Sequence, residues 1–245
     1  MFHIRFNYLL PAALLFITTS AFADAVFTDS TFNIGDYTVT GPFKSHSASS
    51  VTFGQCTTCG NPGDALQIQM NLPSIGDLIA LGFVNASFSY NPQTQGAITS
   101  ITASVDKDLI VNQDETGAGN TFRPLIEQDG IFYMAAIPGP TVTGTTTGFN
   151  TLSQSGLTAS NFLQYDFSTG TFGITTPNFS GDTMLFGLGQ ISQFNTNNLL
   201  FEADYDNLKL DIASAPEPAT LAQLGVLVAL LAGVGMMRKR NLVRS

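Results

Sequence analysis

Two cysteines separated by two threonines are the first residues in this chain whose spacing could support chemistry. Cys56 and Cys59 lie in the segment GQCTTCGNPG, residues 54–63. A redox-active pair of this kind needs its first cysteine at the start of a helix, where the thiol pKa falls, and a structural zinc site needs four ligands. The glycines, asparagine and proline around the pair indicate a turn instead. We therefore predict a Cys56–Cys59 disulfide, the default state of paired cysteines outside the cytoplasm.

The second chemical pattern is acidic, Glu202-x-Asp204-x-Asp206, near the end of the chain. On a strand, alternate residues point to one side, where their carboxylates repel one another unless a cation is present. Calcium binds several carboxylate and carbonyl oxygens. The pattern indicates either a solvated strand edge or a calcium site, and it implies no other cofactor. The candidate calcium ligands are Asp106, Asp108, Asp204 and Asp206.

The remaining residue types favour a binding or structural role over catalysis. Beyond residue 23 the chain has one histidine, His46, in a polar stretch, and it has no Gly-x-Ser-x-Gly motif. A divergent glycoside hydrolase, which needs two facing carboxylates, is the least favoured alternative because glutamates are few. Saccharide binding uses an aromatic platform beside polar groups. Tryptophan is absent, which leaves as candidates Tyr90, Tyr133, Tyr165 and Tyr205.

The N-terminal segment of the chain has the features of an export signal. One cation, Arg5, precedes the apolar residues 9–17, a run too short to span a bilayer. The segment ends in Ala21-Phe22-Ala23, the small-x-small pattern that signal peptidase requires. We predict that residues 1–23 form a signal helix that is removed on export, with cleavage between Ala23 and Asp24.

The C-terminal segment combines a polar motif, an apolar helix and a basic stop. The motif is Pro216, Glu217 and Pro218. Residues 221–237 are almost entirely apolar, and a helix of this length, about 25 Å, just spans a bilayer. The basic cluster that follows is Arg238, Lys239 and Arg240. Cations at this position hold the end of the chain on the cytoplasmic side.

This layout, over residues 215–245, resembles the PEP-CTERM sorting signal of Gram-negative bacteria. The resemblance implies that the secretion machinery and signal peptidase export the chain through the inner membrane. It also implies that an exosortase, a membrane-embedded transpeptidase-like enzyme, cuts near Glu217. The protein would be anchored transiently by the transmembrane helix and would end at the cell surface or outside the cell. A plain single-pass anchor is the alternative.

Charge excludes one class of partner. Between residues 24 and 217 the chain has four Lys or Arg and eighteen Asp or Glu, a net charge of −14. Nucleic-acid binding needs clustered cations, so no nucleic-acid partner is expected. A surface of this charge also repels anionic polymers unless a divalent cation bridges them.

Residues 24–214 predict one all-β domain. Apolar residues alternate with polar ones in the segments 66–70, 84–90, 101–105, 184–188 and 208–212. This period of two places apolar side chains on one face of a sheet. Residues 131–134, Ile-Phe-Tyr-Met, indicate a more central strand, and Asp129-Gly130 before them indicates a hairpin. One short helical turn is expected near Thr158. Many short strands joined by Gly, Pro and Asn favour a two-sheet antiparallel β-sandwich.

Four short segments of this domain resemble jelly-roll carbohydrate-binding-module-like and laminin-G-like domains. The segments are GAITSITASVD (96–106), PLIEQDGIFYMA (124–135), SGLTASNF (155–162) and ADYDNLKLDI (203–212), the last with an Asp206-Asn207 pair. The resemblance implies a jelly-roll-like sandwich. We predict an exported, non-enzymatic surface or matrix protein associated with extracellular polysaccharide or biofilm. The alternative is a carbohydrate-binding module.

Overall fold

The computed structural model describes residues 24–112, 121–137, 148–193 and 199–215. Residues 24–214 form one compact unit. The predicted signal helix, with Ala23, and the predicted sorting motif, apolar helix and basic cluster lie outside the described residues. Within these described ranges, no helix is both long enough and apolar enough to cross a membrane.

Thirteen strands are present in the described ranges. In chain order they are β1 (Ala25–Asp29), β2 (Tyr37–Lys44), β3 (Ser50–Gly60), β4 (Gly63–Leu72), β5 (Leu78–Tyr90), β6 (Ile98–Asn112), β7 (Thr121–Gln128), β8 (Ile131–Ala135), β9 (Asn150–Leu157), β10 (Phe162–Asp166), β11 (Thr171–Phe172), β12 (Met184–Gln193) and β13 (Leu199–Ser214). One short helix, α1 (Pro92–Gln95), and two 3-10 turns, Ile34–Asp36 and Ala159–Asn161, connect strands.

The strands form two antiparallel sheets. The six-stranded sheet has the order β3-β4-β13-β6-β9, with β1 paired to the second half of β13. The seven-stranded sheet has the order β11-β10-β8-β7-β12-β5-β2. The prediction of an all-β, two-sheet antiparallel sandwich is therefore confirmed.

The main core lies between the two sheets, and period-two alternation fills it. Leu66, Ile68 and Met70 of β4 are buried in it, while the glutamines between them point outward. The predicted alternations in β6, β12 and β13 also place their apolar residues in this core. Burial of a large apolar side chain stabilises the fold by roughly 1.5–3 kcal/mol, so these alternating strands hold the two sheets together.

One predicted alternation, at residues 84–90, is wrong. Val84 points to the outer face of the seven-stranded sheet, whereas Phe88 and Tyr90 lie in the main core and Ala86 is exposed. The cause is a register shift, because Leu185 pairs with Ser89 but Phe186 pairs with Asn85. Three residues of β5 therefore have no partner on β12, and an odd number of extra residues reverses the face that later side chains occupy.

The two predicted turns are confirmed. Asp129 and Gly130 join β7 to β8 as a two-residue hairpin, and both have positive φ, 55° and 75°. A tight hairpin turn of this type needs positive φ at both positions, which Asp tolerates and Gly prefers. The second turn follows Thr158, whose backbone N–H donates to the Asn161 side chain at 2.7 Å.

Candidate functional site

The outer face of the six-stranded sheet brings the predicted acidic residues together. Glu202, Asp204 and Asp206 alternate along β13 on this face, as their spacing predicts. On the neighbouring strand β6, Asp108 lies opposite Asp204 and Asp106 lies opposite Asp206. All four candidate calcium ligands therefore lie side by side on one surface, which we call the acidic face.

Protein groups already occupy several oxygens of the acidic face. Gln67 Nε2 donates to Glu202 Oε1 at 3.2 Å and to Asp204 Oδ1 at 3.1 Å. Asp106 accepts from Asn207 Nδ2 at 2.9 Å, and Asp206 accepts from the backbone N–H of Asn207 at 2.6 Å. In the described part of the chain, no group of three or more Asp, Glu, His or Cys converges as metal ligands do. The calcium site stays a prediction.

Burial changes the ionisation of Asp204. The carboxyl is 3% exposed, and its burial raises its pKa to about 6. The hydrogen bond from Gln67 opposes this rise, while the charges of Glu202 and Asp108 add to it. Desolvation and like charges both disfavour an ionised carboxylate, so the acidic face holds a proton at mildly acidic pH.

The two cysteines lie in the hairpin of β3 and β4 and form a disulfide, with their Cα atoms 5.5 Å apart. Just beyond them, the backbone N–H of Asn61 donates to Asp206 Oδ2 at 2.5 Å. This hydrogen bond connects the hairpin to β13, which is far from it in sequence. The cysteines are therefore part of a structural link at the end of the acidic face.

Three of the four candidate platform tyrosines lie in the main core and offer no surface to a ligand. These are Tyr90, Tyr133 and Tyr205. The fourth, Tyr165, lies on the outer face of the seven-stranded sheet. His46 is exposed in a turn, where its Nδ1 accepts from the backbone N–H of Ala48 at 3.2 Å. Only Tyr165 among these candidates borders a groove.

That groove, of about 270 Å³, lies on the outer face of the seven-stranded sheet, and we call it the aromatic groove. Its ring-bearing residues are Phe132, Tyr165 and Phe167, and its polar ones include Thr40, Asp166 and Ser168. Gly82 makes room for it, because a side chain there would meet Phe167 at 2.8 Å. The sequence reasoning missed Phe132 and Phe167. The apolar run at residues 131–134 was the available signal, since such a strand is apolar on both faces.

The rings of the aromatic groove hold one another edge to face. Phe132 and Phe167 have ring centroids 5.6 Å apart at 90°, and Tyr165 and Phe167 have centroids 4.8 Å apart at 72°. Edge-to-face pairs of this kind add about 0.5–1.5 kcal/mol beyond the burial of their area. Phe172 of the edge strand β11 packs on Tyr165 at 4.8 Å in the same way. Phe132, Tyr165 and Phe167 therefore hold one another in place, and the partly exposed Phe132 is the ring of these three that a ligand can reach.

The polar rim of the groove is also ordered. Asp166 Oδ1 accepts from the backbone N–H of Ser168 at 2.7 Å and from its hydroxyl at 2.6 Å. These hydrogen bonds lower the pKa of Asp166, so the carboxylate is ionised at neutral pH. The groove thus presents the flat, partly exposed ring of Phe132 beside an ordered carboxylate and hydroxyl.

A second groove, of about 220 Å³, lies over Gly54 on the acidic face. Its lining is rich in amides, from Gln55, Gln67 and Gln69. The one aromatic residue in its lining, Phe53, turns its ring toward the core, where it packs on Phe83 at 5.3 Å. This groove therefore offers hydrogen-bonding groups but no outward-facing ring.

No family model matches the sequence, and no curated protein matches it. Solved structures with a similar fold include the family 11 carbohydrate-binding module of the cellulase Lic26A-Cel5E of Clostridium thermocellum, at 10% identity, with 80% of this chain and 98% of that chain covered and a TM-score of 0.42. The family 30 module of Cel9D-Cel44B from the same organism gives 9% identity, 78% and 99% coverage and a TM-score of 0.41. Arcelin-5, a lectin-like defence protein from Phaseolus vulgaris, gives 8% identity, 78% and 99% coverage and a TM-score of 0.38. Similarity at this level concerns the sandwich architecture alone.

Proposed function

We propose that this chain is an exported, non-enzymatic protein whose β-sandwich binds extracellular polysaccharide in the aromatic groove. The observation that carries the proposal is the partly exposed ring of Phe132, packed edge to face on Phe167, beside an ordered carboxylate and hydroxyl in one open groove. Sugar rings have apolar faces that stack on aromatic side chains and hydroxyl edges that need hydrogen-bonding partners. Both kinds of group must therefore be adjacent in a saccharide site.

The lining of the groove favours binding over hydrolysis. Asp166 is the one acidic residue among the described residues that line it. Glycoside hydrolysis by a pair of carboxyl groups needs a second one roughly 5–10 Å away, on the other side of the scissile bond. The acids of the acidic face are on the opposite sheet and do not line this groove.

Export accounts for the ends of the chain and for the cysteines. The disulfide is typical of a protein that leaves the reducing cytoplasm. We propose that signal peptidase cuts after Ala23 and that an exosortase acts at the Pro216-Glu217-Pro218 motif. The sandwich would then reach the cell surface or the surrounding matrix, where polysaccharide is available.

The proposal is tested by affinity gel electrophoresis of the purified protein in gels that contain soluble β-glucan, mannan, alginate or the polysaccharide secreted by the host bacterium. At least one polymer should retard the protein. Phe132→Leu should weaken that retardation roughly three- to tenfold, because leucine keeps the apolar volume but loses the flat ring.

Phe53→Leu, on the other sheet, is the matched control and should bind as the wild type does. Thermal unfolding followed by circular dichroism establishes that both variants are folded. Loss of binding in Phe53→Leu but not in Phe132→Leu would move the site to the other groove. A protein that no polymer retards would contradict the proposed function.

A further inference from the structure

Arg123 of β7 is a buried cation with one edge of its guanidinium unused. It lies on the outer face of the seven-stranded sheet, beside Leu125, and is 9% exposed. Its Nη1 donates to the carbonyl oxygens of Ala135 and Ala136, at 2.6 and 2.9 Å. Its Nε has no hydrogen-bond partner. A guanidinium has five N–H donors. Its Nε edge can bind a carboxylate through two parallel hydrogen bonds.

No acidic side chain in the described part of the chain compensates this charge. The one ion pair found there joins Lys209 and Asp211. Leaving a buried donor without an acceptor is unfavourable, and the cost is larger for a charged group. Such a group in a folded protein requires an explanation, and an absent ligand is one.

Tyr165 supplies a second unpartnered donor on the same face. Its ring lines the aromatic groove, it is 2% exposed, and its hydroxyl makes no hydrogen bond. Burial raises the pKa of this phenol to about 12, and the charge of Arg123 opposes that rise. The hydroxyl therefore keeps its proton at neutral pH and can donate it in a hydrogen bond.

One side chain, Phe172, packs against both of these residues. Its ring lies 5.6 Å from the guanidinium of Arg123 and 4.8 Å from the ring of Tyr165. Phe172 is 37% exposed and belongs to β11, which has only two residues and pairs only with β10. The backbone N–H of Gly173, the next residue, donates to the carbonyl of Gln164 at 2.8 Å and holds this segment to β10. The ring of a partly exposed residue can change rotamer while its backbone stays paired, so the Phe172 ring can move without loss of the strand.

Granted the proposed carbohydrate binding, we infer that the sugar unit held at this end of the aromatic groove carries a carboxylate, as a uronic acid does. Displacement of Phe172 gives the carboxylate access to the free edge of Arg123 and to the hydroxyl of Tyr165. The ligand then satisfies both donors, and its sugar ring takes the place of Phe172 beside Tyr165.

Asp166 lines the groove beside Tyr165, but its carboxylate is exposed, so solvent and salt weaken its repulsion of a carboxylate ligand. The acids of the acidic face do not oppose this binding at physiological salt. Six of the described acids lie on the outer face of the opposite sheet: Asp106, Asp108, Glu202, Asp204, Asp206 and Asp211. Packed sheets are about 10 Å apart, and outward side chains add to that distance. The Debye length at 0.15 M salt is about 8 Å, so the acidic face is screened from the aromatic groove.

The test compares acidic polysaccharides with neutral copies of themselves. Polygalacturonate, alginate and hyaluronate are titrated into the purified protein at 0.15 M salt, each beside its carboxyl-reduced form. At least one acidic form should bind tenfold or more tightly than its reduced form. Arg123→Lys, which keeps the charge but loses the two-donor edge, should remove this preference.

Tyr165→Phe keeps the test valid if changes at Arg123 disturb the backbone around Ala135. This variant removes only a hydroxyl that has no partner, so the melting temperature should stay the same or rise. Its affinity for the acidic polymer should nevertheless fall several-fold. If the hydroxyl had only a structural role, its removal would not lower the affinity while leaving the melting temperature unchanged.

The remaining outcomes distinguish failure of the carboxylate inference from failure of the proposed function. Equal affinity for the acidic and reduced forms would overturn the carboxylate inference and leave carbohydrate binding standing. Unchanged affinity in Tyr165→Phe, or binding of acidic peptides in place of acidic sugars, would also overturn the inference. Failure to bind any polysaccharide would overturn the proposed function as well.

Discussion

At the scale of single residues, two ionisable side chains lie where the surrounding structure disfavours their charge. Lys107 is fully buried between the rings of Phe201 and Tyr205, and burial lowers its pKa well below the usual value. Asp204 is buried on the acidic face, where its pKa is raised to about 6. Each charge position follows from the strand alternation, because Lys107 has an inward position and Asp204 an outward one.

The raised pKa of Asp204 makes stability depend on pH in a defined direction. The unfolded chain releases this proton near pH 4, and the folded protein releases it near pH 6. The bound proton therefore contributes its full stabilisation below pH 4, and this stabilisation is lost as the pH rises through 6. Asp204→Asn should remove this pH dependence. Relative to the wild type, the substitution should raise the free energy of unfolding by about 1–2 kcal/mol more at pH 7.5 than at pH 4.5. Urea unfolding at the two pH values measures it.

Asp211→Asn is the control for this measurement. It removes a carboxylate from the same strand, but that carboxylate is partly exposed and makes a surface ion pair with Lys209. Surface pairs of this kind contribute between nothing and about 1 kcal/mol. If Asp204→Asn and Asp211→Asn have the same pH profile, burial does not control the ionisation of Asp204.

At the scale of elements, a glycine of β5 makes room for the aromatic groove, and a glycine of β12 lets that strand approach β5 closely. Gly82 makes room for Phe167, and Gly187 lies so close to β5 that a Cβ would overlap the carbonyl oxygen of Phe83. The sheet here is apolar on both faces, since Val84 and Leu125 pack on the outside while Phe83 packs on the inside. Gly82 therefore determines how closely Phe167 approaches the sheet, and Gly187 determines how closely β12 approaches β5.

Gly187→Ala tests this close approach. Because the overlap is with backbone, β5 and β12 would have to separate locally, and the free energy of unfolding should fall by about 3 kcal/mol. Gly54→Ala is the control, because no atom lies within 4 Å of a Cβ at that position. It should change stability by less than about 0.5 kcal/mol. Equal effects in the two variants, measured by denaturant unfolding, would show that the contact with β5 is not limiting.

At the scale of the whole molecule, the predicted processing of the C-terminal segment can be separated from simple anchoring. The sequence predicts that proline on either side of Glu217 keeps the motif extended, as a protease-like groove requires. A simple anchor would need only an apolar helix and its basic stop. Glu217→Ala should leave membrane insertion intact and block removal of the tail. The unprocessed protein should be heavier than the mature form by about 3 kDa, given 26.0 kDa for 245 residues.

Mass spectrometry of inner-membrane and surface fractions distinguishes the forms. Deleting residues 221–237 is the comparison variant, and it should give a soluble periplasmic protein because delivery to the membrane enzyme is lost. Mature wild-type protein that still carries Arg238 to Ser245 would contradict sorting and indicate an ordinary anchor.

The sequence by itself determined the class of the fold and several of its elements. Alternation placed residues such as Leu66 and Ile68 in the core, and Asp129-Gly130 defined a hairpin, because both are local properties of the chain. The sequence also predicted that Glu202, Asp204 and Asp206 share one side of a strand.

Only the tertiary structure decided which surface offers a binding site. Strand pairing across 96 residues placed Asp108 beside Asp204. A register shift that no local pattern shows reversed one predicted face of β5. The aromatic groove combines rings from β8 and from the end of β10 with space left by a glycine of β5. Side chains so far apart in sequence converge only after the sheet has formed, because sheet order and register are set by packing between distant segments.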